Sequence, residues 1–162
     1  MNVEYINPFV LSVVNVFRTM VNVELTRGQP FVKTGFQPRH DISGVIGLSG
    51  KAKGTIVLCM EREMALLTTE ALLGEELESP QITADVIDAV GELANMIAGG
   101  AKAKLAQFEM SVSLPSVITG KGHCIEFPSR TKPICIPFSS DAGNLDVEVG
   151  LVEVPQEAAA EA

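Results

Sequence analysis

The sequence is short of basic and aromatic side chains. Its 162 residues include 12 Lys and Arg against 20 Asp and Glu, which gives a formal net charge of −8. Nucleic acids and anionic membranes are bound through basic surfaces, so this balance argues against both as partners. There is no Trp and only one Tyr. A platform of aromatic rings on which bases could stack is therefore not expected either.

Long apolar runs and closely spaced cysteines are missing as well. No stretch approaches the roughly 18–20 apolar residues of a membrane-spanning helix. The first basic side chain is Arg18, so we do not expect a secretory signal peptide, which begins with a basic region. Cys59, Cys124 and Cys135 form no C-x-x-C pair, and each lies in an apolar, strand-like stretch. These features predict a cytoplasmic protein with buried, reduced thiols.

The length and the composition indicate one folded domain. Apolar residues make up 46% and charged residues 20% of the chain, which is ordinary for a globular protein. A chain of this length needs neither a disulfide nor a metal to fold. We assign the domain to residues 1–154 and expect residues 155–162 (PQEAAAEA) to be a flexible tail.

Apolar periodicity and turn residues divide the chain into helices and strands. Asn7 is the expected N-cap of the first helix, with Pro8 in its first turn. A hairpin turn is expected over Gly50–Gly54, and Gly74 should end the second helix. In chain order the predicted elements are a helix that begins at Asn7–Pro8, strands over 21–60, a helix over 61–73, a helix from Ser79–Pro80 to about Phe108, and strands over 110–154.

This order of elements predicts an α+β fold. Helix, strands, helix, helix and strands suggest a pseudo-duplication of one helix-plus-strands unit. Strands joined by hairpin-length turns pair antiparallel. We therefore expect a largely antiparallel sheet with the long helices packed on one face.

The acidic residues are concentrated around the third helix. Between Glu63 and Ala101 there are eight Asp and Glu residues and no Lys or Arg. Such a run is either a solvated helical surface or a docking face for a positively charged group, and composition alone does not decide between them.

A helical wheel gives the third helix two unlike faces. The apolar stripe predicted to face the core consists of Val86, Ile87, Val90, Leu93, Ala94 and Ile97. The opposite face carries Asp85, Asp88, Glu92, Asn95 and Gly99. Glu92 and Asn95 are three residues apart, so their side chains project together. Gly99 lies one turn further, where a glycine weakens the helix by about 1 kcal/mol but permits close approach of another surface.

The segment from Asp88 to Gly99 (DAVGELANMIAG) resembles the signature helix of the CheC/CheX/FliY phosphatases of bacterial chemotaxis. The family motif is Asp or Ser, three residues, Glu, two residues and Asn, with a proline further on. Asp88, Glu92 and Asn95 match it in register, and Pro115 matches the proline. The resemblance extends to the first helix over 2–17 and to the glycine-marked hairpin over 44–57, and so covers the chain to about residue 154.

The first helix lacks a second copy of this motif. Aligning Asn15 with Asn95 places Ser12 at the position of the motif glutamate and Pro8 at that of the motif aspartate. CheC-type members carry the Glu/Asn pair on both long helices, whereas CheX-type members carry it on one. The chain is therefore most similar to the CheX type.

The resemblance implies a phosphatase that acts on the aspartyl phosphate of a CheY-type response regulator and thereby ends the chemotaxis signal. Glu92 and Asn95 would be the catalytic pair, and Asp88, Gly99 and Pro115 would support partner binding. The resemblance implies no metal or cofactor on this chain, with Mg²⁺ on the response regulator instead. It also implies a homodimer and raises CheD as a second partner.

A non-catalytic alternative stays open. The same fold can serve as a module that docks receiver domains or flagellar-switch components without turnover, and only the enzyme requires Asn95. Other catalytic sites have little support in the sequence. His40 and His123 lack the spacing of a metal site or a catalytic triad, and the Gly-Lys pairs at Gly50 and Gly120 lack that of a phosphate-binding loop.

Overall fold

The computed structural model describes residues 3–35, 39–128 and 131–155, so the predicted tail lies outside the described residues beyond Pro155. The helices are α1 (Asn7–Val16), α2 (Arg62–Leu73) and α3 (Ala84–Lys104). The strands are β1 (Thr26–Arg27), β2 (Phe31–Val32), β3 (Ile42–Ser49), β4 (Ala52–Met60), β5 (Ser111–Val112), β6 (Ser116–Thr119), β7 (Ile134–Ser140) and β8 (Gly143–Glu153). Short 3₁₀ turns at Val3–Tyr5 and Ala106–Phe108 flank α1 and α3, and a π-helical turn at Phe17–Val21 extends α1.

The strands form one antiparallel sheet in the order β1-β7-β8-β4-β3-β5, with β2 also paired to β7 and β6 to β3. The longest pairing joins β4 to β8, from Ala52 opposite Glu153 to Met60 opposite Leu145. All the helices contribute to one hydrophobic core with the sheet. The predicted α+β architecture, with an antiparallel sheet and helices on one face, is confirmed.

Alternation along the central strands decides which residues meet the helices. In β8, Leu145, Val147 and Val149 join the core, whereas Asp146 and Glu148 point to the opposite face. Similar alternation in the neighbouring strands gives one apolar layer under the helices. The sheet is therefore covered on both sides, because Asp146 and Glu148 are also buried.

The buried carboxylates on the opposite face are paired with cations from the preceding loops. Lys33 Nζ lies 2.7 and 2.8 Å from the two carboxylate oxygens of Glu148. Arg39 pairs with Asp146, and His40 Nε2 lies 3.4 Å from the same carboxylate. These contacts fasten the loop segments that cover the sheet, since a buried charge requires a partner.

The helix boundaries differ from prediction at two starts and at one end, since α3 ends at Lys104 and a separate 3₁₀ turn follows up to Phe108. Asn7 is the first residue of α1 and not its N-cap, because the 3₁₀ turn before it leads into the helix and Ile6, in helical conformation, is the cap. The third helix begins at Ala84 and not at Ser79–Pro80. There the Arg62 guanidinium binds the carbonyl oxygen of Pro80, and Thr83 is extended. The predicted α2, with Gly74 at its C-terminal cap, is confirmed.

The strand predictions were too broad in two loops. Between residues 21 and 41 the described chain forms only two two-residue strands, and 120–128 and 131–133 contain none. The predicted hairpin is confirmed, with a tighter turn at Gly50–Lys51. Gly50 has φ +150°, and a Cβ there would lie 2.6 Å from the Glu109 carbonyl oxygen, so glycine is required.

The cysteines are free thiols in two different environments. Cys59 and Cys135 are buried in strands as predicted. The prediction was wrong for Cys124, which is exposed in the irregular segment after β6. Burial raises the pKa of Cys59 to about 11 and that of Cys135 to about 12. No α-helix in the described ranges has the length and apolarity needed to cross a membrane.

Candidate functional site

Helix α3 packs into the core along its predicted apolar stripe. Val86, Val90, Leu93 and Ile97 are all fully buried. Ile87, predicted to extend this stripe, is 37% exposed, since it lies at the stripe's edge. Because this stripe is buried, the opposite face of α3 points toward solvent.

Close backbone contact fixes α3 against the sheet. A Cβ on Gly44 of β3 would lie 2.9 Å from Ala94 Cβ and 3.3 Å from the Val90 carbonyl oxygen. No side chain larger than hydrogen fits there without displacement of the helix. Small residues at this contact place α3 directly on β3.

A second close contact joins α3 to α1. Ser12 is buried, and its Oγ donates a hydrogen bond of 2.8 Å to the Ile97 carbonyl oxygen. A Cβ on Gly100 would overlap Ser12 Oγ, whereas a Cβ on Gly99 would meet no atom within 4 Å. Of the two adjacent glycines, Gly100 is thus the one that permits the approach of α1, and it was not predicted from the sequence. Two adjacent glycines in a helix indicate a close contact, but the helical wheel placed Gly99 on the outward face, and that glycine was chosen.

The outward face presents the residues of the motif. Asp85, Asp88, Glu92 and Gly99 are exposed, and Asn95 is half-buried. Within the ranges described, neither Glu92 nor Asn95 has a hydrogen-bond or ion-pair partner. Their polar groups are therefore available to another molecule.

Pro115 borders this face. It is half-buried in the turn between β5 and β6, and its Cγ and Cβ would lie 3.5 and 3.7 Å from a Cβ placed on Gly91. Gly91 directly precedes Glu92 and lies one helical turn before Asn95. The structure thus brings Pro115 beside the Glu92–Asn95 pair. The packing of Pro115 against Gly91 was not predicted, because a glycine within a helix does not indicate which residue contacts it.

The matching positions of α1 have a different environment. Ser12 and Pro8, which align with the motif glutamate and aspartate, are both buried. Asn15 is exposed, and its Oδ1 accepts a hydrogen bond of 3.2 Å from Arg18. Of the three α-helices in the described chain, only α3 presents a carboxylate and an amide together on its surface.

The histidines lie on the other face of the sheet. His123 Nε2 and Ser43 Oγ are joined by a 2.7 Å hydrogen bond, and His40 adjoins Asp146. No cluster of three or more His, Cys, Asp or Glu suited to a metal occurs in the part of the chain that the structure describes. The chemistry available at α3 is that of one amide, its neighbouring carboxylates and a bordering proline.

Solved structures with this architecture define the class of protein. A CheC-like superfamily protein from Shewanella sp. PV-4 is 40% identical, with a TM-score of 0.85 over 94% of this chain and 99% of that chain. CheX from Vibrio vulnificus is 36% identical, with a TM-score of 0.84 over 92% and 99%. The fold is that of the CheC-like superfamily.

The family model described as "Chemotaxis phosphatase CheX" matches residues 42–139, more than half of the chain. The chain belongs to this family of protein phosphatases, as the sequence resemblance predicted. A relative from Thermotoga maritima, named CheY-P phosphatase CheX, is 28% identical over 123 residues, which are 75% of this chain and 79% of that protein. CheX of Borrelia burgdorferi, solved as a complex with CheY, BeF₃ and Mg²⁺, is 27% identical, with a TM-score of 0.79 over 94% and 100%.

Proposed function

We propose that this protein hydrolyses the aspartyl phosphate of a CheY-type response regulator. The observation that carries the proposal is the pair Glu92 and Asn95, side by side and without partners in the described chain, on the outward face of α3. Support for the substrate comes from the relatives: one is named a CheY-P phosphatase, and another was solved bound to CheY with BeF₃ and Mg²⁺.

The reaction requires little from the phosphatase. An aspartyl phosphate is an activated acyl phosphate, so a correctly placed water attacks phosphorus while the bond from phosphorus to the carboxyl oxygen breaks. The products are inorganic phosphate and the free aspartate carboxylate, and the water protons pass to the phosphate and to solvent. A hundredfold acceleration corresponds to about 2.7 kcal/mol, within the range of one positioned polar group.

Asn95 is the group that positions the water. Its amide both donates and accepts hydrogen bonds, so it can hold a water molecule in one orientation. It is half-buried, which restricts its side chain more than full exposure does. The exposed Glu92, three residues earlier, pairs with a lysine of the receiver and sets the register of docking.

The remaining motif residues support the complex. Asp88 contacts the partner or solvates the helix face, Gly99 leaves open space for a close surface, and Pro115 shapes the border of the site. Mg²⁺ belongs to the receiver in this proposal, where it neutralises phosphoryl charge. The family resemblance further suggests a homodimer and CheD as a second partner. Light scattering of the chain alone and mixed with CheD tests both, and an unchanged monomer would count against them.

The test is release of phosphate from a phosphorylated CheY-type receiver in Mg²⁺, with and without this protein. Wild type should accelerate release, Asn95→Ala should lower kcat about a hundredfold, and Glu92→Ala should chiefly raise KM. Asn15→Ala, an exposed asparagine of α1, is the matched control and should retain full activity. Binding without any acceleration would favour the non-catalytic docking module. Full activity of Asn95→Ala would reject the assigned site.

A further inference from the structure

Leu114 is unusually exposed for an apolar side chain. It is 89% exposed, whereas the other large apolar residues on the described surface range from 37% to 56%. It immediately precedes Pro115 and so lies at the border of the α3 site. A single exposed leucine is ordinary in itself, so its surroundings decide its meaning.

The residues on both sides of Leu114 contact neighbouring elements. Ser113 N donates to the Gly47 carbonyl oxygen at 2.9 Å, and Gly47 N donates to Ser113 Oγ at 2.9 Å. The same hydroxyl donates to the Leu114 carbonyl oxygen at 2.9 Å. On the other side, Pro115 packs against Gly91 of α3. Leu114 therefore lies between two residues that contact β3 and α3, and its side chain remains exposed.

Three apolar residues that are partly or largely exposed border the outward face of α3, and we call them the apolar ridge: Ile87, Leu114 and Pro115. Ile87, Gly91 and Asn95 are spaced four residues apart, so they lie one above another on the same side of α3. Pro115 packs against Gly91, the middle residue of the three. The outward part of Ile87 thus lies one turn before the proline and Asn95 one turn after it. A surface that covers Asn95 also approaches this ridge.

Charge supplies little of the attraction that the proposed complex requires. The polar face carries the carboxylates of Asp85, Asp88 and Glu92, and the chain has a net charge of −8. In the proposed complex the receiver offers one lysine, which pairs with Glu92, while its Mg²⁺ neutralises phosphoryl charge. Asp85 and Asp88 gain no such partner, so an attraction that does not depend on charge adds to the affinity. Burial of exposed apolar surface supplies attraction independently of charge.

We propose that the apolar ridge is the docking anchor that binds an apolar surface of the receiver beside its phosphoaspartate, with Leu114 as the main contact. This inference rests on the proposed function and assigns the source of its binding affinity. In this arrangement Leu114 binds and positions the receiver, whereas Asn95 and Glu92 act at the phosphoaspartate.

The test compares Leu114→Ala, Leu114→Met and wild type in two assays: steady-state phosphate release, and calorimetric binding of the receiver loaded with beryllofluoride and Mg²⁺. Leu114→Ala should raise KM and the dissociation constant about tenfold, the effect of losing most of one buried leucine, with kcat unchanged. Leu114→Met, which nearly conserves volume, should restore binding. Leu73→Ala is the matched control, because Leu73 is an exposed leucine at the end of α2.

The two assays separate the two ideas. A tenfold loss of beryllofluoride-receiver binding in Leu114→Ala supports the ridge even where wild type shows no turnover, which would reject the phosphatase function alone. Normal turnover by wild type together with unchanged KM and binding in Leu114→Ala would overturn the ridge and leave the phosphatase intact. A fall in kcat at constant KM, or an equal effect of Leu73→Ala, would also overturn it.

Discussion

Ser12 of α1 donates its hydroxyl hydrogen bond to the carbonyl oxygen of Ile97 in α3, across 85 positions of sequence and a distance of 2.8 Å. The bond is buried and joins the two long helices at the Gly100 contact. Ser12 aligns with the motif glutamate of α3, so the matching position serves packing in α1 and faces outward in α3. Removing this contact should loosen the support of α3.

Ser12→Ala should lower the free energy of unfolding by about 1 kcal/mol, because it removes a buried hydrogen bond. Thr19→Ala is the control: Thr19 Oγ1 also donates over 2.8 Å, to Asn15 O, but at an exposed position within one helix. Urea denaturation of both variants measures the difference. An equal loss of unfolding free energy in the two variants would show that the hydrogen bond between α1 and α3 adds no more stability than one within a single helix.

The adjacent glycines of α3 should respond in opposite ways to alanine. Gly100→Ala places a methyl group onto Ser12 Oγ and should destabilise the fold by about 1–3 kcal/mol. Gly99→Ala meets open space and should stabilise the helix by up to about 1 kcal/mol. Thermal unfolding of the two variants is the measurement.

Relief of the Gly100 clash provides the internal check. Combining Gly100→Ala with Ser12→Ala should recover part of the lost stability, since the overlapping hydroxyl is gone. If Gly99→Ala were the more damaging change, the assignment of the close contact to Gly100 would be wrong.

Periodicity predicted much of this arrangement because burial follows the helical repeat. The positions of Val86, Val90, Leu93 and Ile97 decided which face of α3 meets the core, and therefore which face carries Glu92 and Asn95. The strand alternation and the hairpin turn were equally visible in composition and glycine placement. The features that could be predicted are those that depend on residues close in sequence: the buried face of a helix, the alternation of a strand and the position of a turn.

Long-range contacts explain the errors. The start of α3 was misplaced because Arg62, in another helix, holds the carbonyl of Pro80. Cys124 was assigned to a buried strand, but its segment forms no ladder in the structure and the thiol is exposed. Gly91 and Gly100 gained their meaning only from Pro115 and Ser12, which approach from distant parts of the chain.

The Lys33–Glu148 pair should show a large asymmetry between single and double variants. Their side chains are only 11% and 5% exposed. Lys33→Met leaves a buried carboxylate unpaired and should lower the free energy of unfolding by about 3–5 kcal/mol. Lys33→Met combined with Glu148→Gln removes both charges and should recover much of this loss, as denaturant titration would reveal. A double variant no more stable than Lys33→Met would contradict this account.

Thiol alkylation should separate Cys124 from the other cysteines. At pH 8 one cysteine should react rapidly with iodoacetamide, because Cys124 is exposed while burial raises the pKa of Cys59 and Cys135 to about 11 and about 12. Mass spectrometry after short exposure identifies the labelled residue. Cys124→Ser should remove the fast phase, and fast labelling of either buried thiol would contradict the structure.

The same buried thiols make stability fall in alkaline solution. A thiol whose pKa in the folded state lies above its unfolded value of about 8.5 contributes stability that is fully present below that pH. This stability is lost as the pH rises from the unfolded pKa toward the folded pKa. For Cys59 and Cys135 the loss begins near the unfolded pKa and extends to about 11 and about 12. Unfolding titrations from pH 7.5 to 10.5 should be flatter for Cys59→Ala/Cys135→Ala than for wild type, and parallel curves would reject this linkage.

The alternation in β8 has a consequence for how the sheet assembles. Leu145, Val147 and Val149 face the helices, while Asp146 and Glu148 face the loops. A slip of one residue against β4 would turn both carboxylates into the apolar layer, away from Lys33 and Arg39. Such a misaligned sheet would hold unpaired charges in its centre and be strongly unfavourable. The two acids therefore disfavour every alignment of β8 that is shifted by an odd number of residues.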